Sequence, residues 1–383
     1  MSKGKSVSAL TIVANEPYDC ISGGIPRILR EITPRLAERF MVRLLVLGSE
    51  KDLKIEKLQA SLEIYHFPHY NLPVGDTYPP ECILKYVKKA ITESDLLFIQ
   101  SVDCIVPLCY ALRIQKPWVM YFHGIDWETF PRAVAWPWLG RQITPLVKAY
   151  ARFWYNRAET LIIPSPDLDK VLANAKVTAT RRVIPLGLDH QNFVPAVNQN
   201  QAKEKLGFSP LDIVLGYIGR LAREKNVGFL LNLFDTLHTK YPSVKLLLVG
   251  SGVKDFETRI NSNPAIRAVG QTNDVIPYLH AMDLFCMPSE IETSSLSSME
   301  AMSCGIPVVA SAVGSLREYL FHRHNGFLAI PGDEADYQHH VEELIEDRHL
   351  RHSMGALARE TMLARPSWDQ TVEAMGDLFE ELI

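Results

Sequence analysis

Residues 284–310 read LFCMPSEIETSSLSSMEAMSCGIPVVA, and this stretch decides the fold class. The apolar run Leu284–Met287 is followed by a polar loop, by a helical segment over Leu296–Ser303 and by a second apolar run over 307–310. Two short apolar runs joined through one helix are typical of a parallel crossover, whose strands are buried on both faces. The stretch therefore predicts an α/β domain built on a parallel sheet.

The same alternation extends outward through both halves of the chain. In the first half we expect strands at 9–14, 42–47, 62–66, 96–100, 118–122 and 161–164, and helices at 25–39, 80–93 and 136–159. In the second half, further strands are expected at 213–219 and 245–250, and further helices at Val227–Lys240 and 275–282. A chain of 383 residues exceeds what one hydrophobic core usually organises, so two domains are expected.

A polar segment rich in Asn and Gln separates the two halves. We predict a first Rossmann-like domain at 1–192, a linker at 193–210, a second Rossmann-like domain at 211–365 and a C-terminal helix at 366–383 that could return to the first domain. Two doubly wound parallel sheets joined in this way would face a cleft, and ligands bind such sheets at the carboxyl ends of their strands. The loops that follow strands are therefore the candidate binding loops.

Composition excludes several classes of function. A formal net charge of −4 and a pI near 6.3 give no broad basic field, so nucleic acid is not expected as a partner. The six cysteines contain no CxxC pair, which favours free thiols in a reducing compartment and hence the cytoplasm. No segment is apolar over a sufficient length to predict a signal peptide or a membrane span.

The loop after strand 213–219 has the composition of a phosphate site. Gly219 would let backbone amides approach a phosphate, and Arg220 and Lys225 bring positive charge to the start of the next helix. Arg can bind a diphosphate through two parallel hydrogen bonds while Lys acts as a mobile point charge, so the pair could neutralise a diphosphate without a metal. A solvated charged loop would have the same composition, and both interpretations stay open.

The loop and helix after Leu284–Met287 supply acidic and capping residues. A carboxylate accepts hydrogen bonds from two neighbouring hydroxyls, so Glu300 suits a ribose and Glu292 suits a donor sugar. Acidic residues near a helix start also stabilise its dipole, which is the competing explanation. Good capping residues mark the start of the helix, and the backbone amides there are expected to face the ligand. The residues are Thr293, Ser294, Ser295 and Leu296.

These motifs together resemble the family called glycosyl transferases group 1, the fourth family of the glycosyltransferase sequence classification. Members carry a glutamate, seven residues, a second glutamate and an Ala-Met-x-x-Gly-x-Pro-Val run, which is matched over 292–308. A Gly-Arg-Leu-x-x-x-Lys motif is matched over 219–225 and an Ile-Pro-x-Gly-x-Asp motif over 184–189. The resemblance covers nearly the whole chain. One departure concerns 292–295, where members often have Glu-Gly-Phe-Gly and this chain has Glu-Thr-Ser-Ser, which leaves the donor sugar open.

The resemblance implies a GT-B fold, with acceptor binding mainly in the first domain and donor binding mainly in the second. It implies a retaining, metal-independent transfer of a hexose from a UDP- or GDP-sugar to a glycan, lipid-linked or small-molecule acceptor, with no cofactor beyond the nucleotide-sugar co-substrate. Arg220 and Lys225 would then hold the diphosphate, Glu300 the ribose and Glu292 the donor sugar. The base would lie against the backbone of a loop that includes Gln271 and Val275.

Two further candidates lie in the first half of the chain. His123 directly follows a predicted strand, at the carboxyl edge, and relatives have a histidine there that contacts the donor sugar or the reacting centre. A structural histidine is the alternative. Gly23 and Gly24 precede a helix with Pro26 in its first turn and would permit close approach to a ligand, or form an ordinary tight turn.

Two possible metal signals are set aside, and no metal ligand is predicted. Asp167 and Asp169 form a DxD motif, but they follow Ser165 and Pro166 at a helix start, where acidic residues stabilise the dipole. Six histidines lack the spacing and partners of a zinc site and are expected to be solvated. They are His322, His324, His339, His340, His349 and His352.

The segment from Trp136 to Arg157 interleaves aromatic and basic residues. Such a helix can lie in a membrane interface, which would place the protein at the inner membrane face and suit a lipid-linked acceptor. Packing of the aromatic rings in the core with exposed basic ends explains the pattern equally well.

Two rival functions stay open beside glycosyl transfer. A nucleotide-sugar epimerase can use the same fold, but it needs an acid/base set for elimination, and the Glu-x7-Glu block argues against it. A non-catalytic sugar-nucleotide-binding subunit would not need to keep both glutamates together with Arg220 and Lys225.

Overall fold

The structure is a computed structural model and describes residues 7–20, 23–48, 53–68, 70–72, 75–77, 86–104, 111–133, 137–252 and 256–383. The described residues form two compact units. The first contains the residues up to Cys20 together with Gly24–Leu186 and Trp368–Ile383, and the second contains Gly187–Ser367. Each unit is an α/β fold with its own sheet, as the sequence predicts.

Ten described strands belong to the first unit. They are β1 (Ala9–Val13), β2 (Met41–Leu47), β3 (Lys54–Gln59), β4 (Leu62–Phe67), β5 (Tyr70–Leu72), β6 (Gly75–Thr77), β7 (Leu96–Ile99), β8 (Trp118–Tyr121), β9 (Thr160–Ile163) and β10 (Thr180–Val183). Eight of these form one sheet in the order β10-β9-β8-β7-β1-β2-β4-β3, in which only the edge strand β3 runs antiparallel to its neighbour. Strands β5 and β6 form a separate hairpin.

The central strands of this sheet are buried, which explains their continuous apolar runs. The order reverses beside β1, because β1 pairs with both β2 and β7. Ligands of doubly wound sheets bind at such a reversal, outside the carboxyl ends of the strands. The helices of this unit that precede Leu186 are α1 (Gly24–Leu36), α2 (Lys88–Thr92), α3 (Asp126–Ala133), α4 (Pro137–Tyr155) and α5 (Pro166–Asn174).

The second unit has a parallel sheet of six described strands. They are β11 (Ile213–Ile218), β12 (Val244–Val249), β13 (Ile266–Ala268), β14 (Leu284–Met287), β15 (Val308–Ser311) and β16 (Gly326–Ala329), in the order β13-β12-β11-β14-β15-β16. Its helices are α6 (Gln199–Lys205), α7 (Val227–Lys240), α8 (Glu257–Ser262), α9 (Ile276–Leu279), α10 (Leu296–Ser303), α11 (Glu334–Glu346) and α12 (Arg348–Leu363). The βαβ unit predicted from 284–310 is β14, α10 and β15.

The last helix, α13 (Trp368–Leu382), belongs to the first unit although 181 residues separate it from Leu186. Phe379 is fully buried and its ring lies 5.0 Å from that of Phe98 and 6.2 Å from that of Phe40. Arg39 forms ion pairs with Asp377 at 2.9 Å and Glu380 at 2.8 Å. A buried aromatic anchor with a charged rim therefore fixes the C-terminal helix to the unit that contains the amino-terminal strand.

The structure differs from the sequence-based expectations in several places. The chain passes from one unit to the other at Leu186 and Gly187, and α6 forms inside the segment 193–210 expected to be a linker. The helix expected at 275–282 is the single turn α9, and strands β3, β5, β6, β10, β13 and β16 were not expected. Part of the helix expected at 80–93 lies outside the described residues, as do Ser22 and Trp136. Within the described ranges, no helix combines the length and apolarity needed to cross a bilayer.

Candidate functional site: two loops of the second unit around an ion pair

The loop after β11 is built on glycines. The Gly219 N–H donates to Val249 O at 3.0 Å, and the Leu221 N–H donates to Ser251 O at 2.9 Å. A Cβ at Gly250 would lie 2.0 Å from Gly219 O, so the loops after β11 and β12 touch backbone to backbone. The N–H of Gly219 is therefore used within the protein and does not itself face a ligand. The lack of a side chain on Gly250 leaves room for this close approach.

Arg220 is an exposed cation of this loop. Its carbonyl oxygen accepts a hydrogen bond from the Tyr217 hydroxyl at 2.8 Å, while its guanidinium pairs with Glu224 at 3.1 Å. Its side chain is 55% exposed, so the guanidinium can exchange this partner for a ligand. A Cβ at Gly219 would lie 2.9 Å from the Tyr217 hydroxyl, and glycine thus lets the tyrosine hold the loop.

Lys225 forms the central contact of the site. It ends the short turn Arg223–Lys225, and Asn226 follows in the left-handed conformation (φ 55°) before α7 begins. Lys225 Nζ lies 2.5 Å from Glu292 Oε1, with the two side chains 20% and 8% exposed. The Ser289 hydroxyl also donates to Glu292 Oε1, at 3.1 Å. The structure thus brings together a cation and a carboxylate that lie 67 positions apart in the sequence.

The loop that carries Glu292 is closed on its far side by Gly314. Gly314 has a φ of +55°, and a Cβ there would lie 1.6 Å from Glu292 O. Ser315 donates from its hydroxyl to Thr293 O and lies 3.4 Å from the Ser294 hydroxyl. The short turn Gly314–Glu318 is therefore a backbone support for the candidate sugar-binding loop. Apart from a glycine after a strand, no sequence pattern predicts this turn.

The start of α10 offers unused backbone donors. Ser295 is the N-cap, and its hydroxyl accepts from the Ser298 N–H at 3.3 Å. The predicted capping role of Thr293 and Ser294 is wrong, because both contact the turn at Ser315 instead. Among the described residues, no acceptor is recorded for the N–H groups of Thr293, Ser294 and Leu296. A helix N-terminus with free amides next to Lys225 has the composition of an anion site.

Glu300 lies in the middle of α10 and is 6% exposed. The pKa of the neighbouring Cys304 thiol is raised to about 12, mainly by burial and also by the Glu300 carboxylate. A buried carboxylate on the helix that begins at the candidate anion site is compatible with the ribose contact predicted for it. Its role stays a prediction.

The loop after β13 is tied to the loop after β12. The Gly250 N–H donates to Gly270 O at 2.7 Å, and Gly270 has a φ of +79°. Gln271 is exposed, whereas the side chain of Val275 is buried, 8% exposed. Only the backbone near Val275 could contact a base, as predicted for this loop.

In the first unit, His123 follows β8 and is partly buried. Its Nε2 lies 2.8 Å from Gln100 Oε1, and its ring lies 4.4 Å from that of Tyr121. Burial lowers the pKa of His123 to about 3, so the imidazole is neutral at physiological pH. With Nε2–H donating to Gln100, Nδ1 is left as a hydrogen-bond acceptor. His123 can therefore contact a sugar hydroxyl but cannot supply positive charge.

Gly23 and Gly24 precede the main part of α1. Gly23 has a φ of +112°, which favours glycine, and a Cβ at Gly24 would meet nothing within 4 Å. The geometry permits both the ligand approach and the tight turn that the sequence left open.

The DxD motif lies at the start of α5, as expected. Ser165 caps that helix through a hydrogen bond from the Leu168 N–H. Asp167 pairs with Lys170 at 2.9 Å and Asp169 with Arg181 at 2.5 Å. Helix capping and ion pairing explain both aspartates.

The expectation that the histidines are solvated is wrong for His340. Its ring is 5% exposed and stacks on Phe327 at 4.5 Å, because α11 packs against β16. His340, His339 and Glu343 could hold a metal ion by their spacing, but Glu343 is already paired with Arg323 at 2.7 Å. The expectation missed this burial because it depends on how α11 packs against β16.

Sequence reasoning also missed two aspartates at the edge where His123 lies. Asp103 follows β7, and Asp126 is the first residue of α3, hydrogen bonded by the Tyr155 hydroxyl. A signal was present, since both aspartates follow predicted strands within a few residues.

Two family models match the chain. The model described as Glycosyltransferase Family 4 matches residues 22–192, and that described as Glycosyl transferases group 1 matches residues 198–361. Over 305 residues the chain is 29% identical to sulfoquinovosyl transferase SQD2 of Arabidopsis thaliana, covering 76% of this chain and 58% of that protein. Over 221 residues it is 29% identical to a D-inositol 3-phosphate glycosyltransferase of Corynebacterium jeikeium, covering 54% and 52%. The chain thus spans little more than half the length of these curated relatives.

Solved structures share the whole fold. Sucrose-phosphate synthase of Thermosynechococcus elongatus superposes with a TM-score of 0.80 at 19% identity, covering 98% of this chain and 99% of that one. Anabaena HepE in complex with UDP-glucose superposes with a TM-score of 0.79 at 21% identity, covering 97% and 99%. The predicted GT-B fold is therefore confirmed. Since the two family models match residues 22–192 and 198–361, the chain belongs to the glycosyl transferases group 1 family.

Proposed function

We propose that this protein transfers a hexose from a UDP- or GDP-sugar to an acceptor hydroxyl, with retention at the anomeric carbon. The observation that carries the proposal is the contact of Lys225 Nζ with Glu292 Oε1 at 2.5 Å, next to free amides at the start of α10. Cation, amides and carboxylate match the diphosphate and the hydroxyls of a nucleotide sugar. The UDP-glucose complex of HepE, which has the same fold, supports this choice of donor.

The diphosphate would be held by Lys225, by Arg220 and by the amides of Thr293, Ser294 and Leu296. Both recorded contacts of Glu292 use Oε1, so Oε2 remains to accept hydrogen bonds from the donor sugar. Glu300 would bind the ribose. These two cations and the helix dipole offset the diphosphate charge, and we therefore propose transfer without a metal.

The leaving diphosphate would itself take the proton of the acceptor hydroxyl, on the face of the sugar from which it departs. The C–O bond to the diphosphate breaks as the bond from the acceptor oxygen forms, and the proton passes to a phosphate oxygen. Lys225 and the amides would stabilise the charge that develops on the diphosphate. His123, which is neutral, would accept a hydrogen bond from a sugar hydroxyl through Nδ1.

A donor screen tests this function. The chain is incubated with UDP-, GDP- and ADP-sugars, and binding is followed by thermal stabilisation and turnover by nucleotide release with and without acceptor. Release that requires acceptor supports transfer, interconversion of the donor without acceptor would indicate an epimerase, and binding without turnover would indicate a binding subunit. Lys225→Gln should lower turnover by about 100-fold or more, as losing a transition-state donor does. Lys245→Gln, on the same unit, is the matched control.

The outer face of α4 supports a second part of the proposal, peripheral contact with the inner face of a membrane. Among the side chains of α4 that the structure describes, the exposed ones follow helical spacing and carry no charge; they are Trp138, Gln142, Pro145, Leu146, Ala149, Tyr150 and Phe153. Leu146 is 71% exposed and Trp138 is 61% exposed. The core-packing alternative holds for Trp154 and Tyr155, which are buried. A helix with an apolar outer face and flanking cations binds anionic interfaces.

Sedimentation with anionic vesicles tests this contact. Wild type should sediment with the vesicles at low salt, and Leu146→Glu, at the most exposed position, should abolish sedimentation. Leu363→Glu changes a similarly exposed leucine on the second unit and should leave it intact. Equal sedimentation of all three proteins would argue against α4 as the contact.

A further inference from the structure

Three neighbouring strands of the first unit end in polar residues, and all of these except His123 are without a role in the proposed donor site. Strand β7 is hydrogen bonded to both β1 and β8, so the loops after these strands lie at one edge of the sheet. Asn15 follows β1, Gln100 and Asp103 follow β7, and His123 and Asp126 follow β8. All five residues belong to the first unit.

Asp126 and Asp103 are each held by a neutral partner. The Tyr155 hydroxyl donates to Asp126 Oδ2, which leaves Oδ1 to accept another hydrogen bond. Asn15 Oδ1 accepts from the Cys104 thiol at 3.3 Å, so its amide nitrogen is the group that donates to Asp103. Among the described residues, no cation forms an ion pair with either carboxylate.

The electrostatics follow from these contacts. The pKa of Asp126 is raised to about 6, mainly by burial and also by the nearby charge of Asp103. The Asp103 side chain itself is exposed to solvent. An aspartate that only stabilised the dipole at the start of α3 would have its pKa lowered, not raised. The edge therefore resists any additional negative charge.

Gln100 provides an independent sign of a ligand. The residue is 1% exposed, its Oε1 is bound by His123, and its amide Nε2 is buried with no recorded acceptor among the described residues. An unsatisfied buried amide is costly, and native proteins retain few of them. The edge thus combines a donor, Gln100 Nε2, with two acceptors, His123 Nδ1 and Asp126 Oδ1. Hydroxyl groups both donate and accept, and they fit this set.

We propose that Asp126 accepts a hydrogen bond from the acceptor hydroxyl in the bound complex, before that proton passes to the diphosphate, and that Asp126 and Asp103 together select an uncharged, hydroxyl-bearing acceptor over a phosphorylated one. The proposal rests on the proposed transfer function and names the acceptor class for it. Tyr155 is a positioning residue, since it acts through Asp126. Its helix, α4, also contacts the loop after β7, where the Tyr150 hydroxyl donates to Val102 O at 3.1 Å.

The wild-type protein tests the acceptor class directly. With the donor found in the screen, turnover is measured with glycerol, with diacylglycerol in vesicles and with D-inositol 3-phosphate. An uncharged acceptor should be used at least 10-fold better than D-inositol 3-phosphate in kcat/KM. The diacylglycerol and glycerol arms distinguish a lipid from a soluble polyol. A preference for D-inositol 3-phosphate would overturn the proposal.

Substitution of Asp126 tests its proposed contact with the acceptor. Asp126→Asn should raise the KM for the acceptor by about 10- to 100-fold, the range expected for losing a hydrogen bond to a charged group. The KM for the donor should not change. Tyr155→Phe should raise the acceptor KM less, again with donor KM unchanged. Asp167→Asn, a capping aspartate in the same unit, is the matched control.

An unchanged acceptor KM in Asp126→Asn would overturn the assignment. Failure of the transfer function itself is distinguishable, because it would appear as no nucleotide release from any donor by the wild type. Donor-induced thermal stabilisation of each variant shows that a loss of acceptor binding is not a loss of folding.

Discussion

Gly314 and Glu292 meet backbone to backbone: a Cβ on Gly314 would lie 1.6 Å from the Glu292 carbonyl oxygen. The contact joins a turn after β15 to the loop that carries the candidate sugar-binding carboxylate. Because Gly314 also has a φ of +55°, no other residue can take its place without moving Glu292. The position of the carboxylate therefore depends on a glycine that touches no ligand in the proposed mechanism.

Gly314→Ala is expected to displace the Glu292 loop and to lower both stability and turnover. Gly332→Ala is the matched control, since Gly332 also has a positive φ (+82°) but open space around it. In the control, the free energy of unfolding should fall only by the cost of placing alanine in the left-handed conformation, about 1 kcal/mol. Melting temperature and turnover are measured for both. If the two variants behave alike, the contact with Glu292 has no role.

Separating Lys225 from Glu292 should cost stability as well as turnover. Lys225→Met leaves a carboxylate that is 8% exposed without its cation, which we expect to destabilise the fold by up to about 3 kcal/mol. The double variant Lys225→Met/Glu292→Gln removes both charges and should recover most of that stability while remaining inactive. Urea unfolding measures the stability of each variant, and nucleotide release from the donor measures its turnover. Full activity of the double variant would exclude the pair from catalysis.

Phe379→Ala should show how strongly α13 is fixed to the first unit. Its ring is fully buried against Phe98 and Phe40, so we expect a loss of about 3–5 kcal/mol. Arg182→Ala breaks a surface pair with Glu381, in which both side chains are more than half exposed, and should cost less than about 1 kcal/mol. Unfolding followed by circular dichroism compares them. Equal losses would show that the surface charges, not the aromatic contact, hold the helix.

The pKa of His123 predicts an acid-side loss of stability. Since burial lowers this pKa from 6.5 to about 3, the unfolded chain binds a proton that the folded chain does not between these values. The contribution of His123 is present above pH 6.5 and is lost as the pH falls toward 3. His123→Asn should therefore lose less stability than wild type between pH 7 and pH 4.

Asp126 should act with the opposite sign. Its pKa rises from 3.8 to about 6 on folding, so its stabilising contribution is present below pH 3.8 and lost as the pH rises through 6. Asp126→Asn should gain stability relative to wild type between pH 4 and pH 7.5, by up to about 3 kcal/mol. A pH-independent difference between these two proteins would contradict the burial of the carboxyl.

Local patterns predicted the central strands of both sheets and the helix α10. The strands β1, β7, β8, β11, β12, β14 and β15 are mostly apolar, with at most one polar residue in each, and such runs signal strands buried on both faces. Edge strands were missed for the same physical reason. Strand β3 (KIEKLQ) is largely exposed and β13 has three residues, so neither has an apolar run to reveal it.

The sequence by itself determined the α/β class, the place of the strand ends and the residue types in the candidate donor loops, because these depend on neighbours within a few positions. Only the tertiary structure decided that Lys225 meets Glu292, that Gly314 supports it and that Tyr155 holds Asp126. These contacts join residues between 22 and 67 positions apart, whose approach is set by the packing of strands and helices. The tertiary structure also decided protonation, since burial makes His123 neutral, and a sequence carries no direct record of burial.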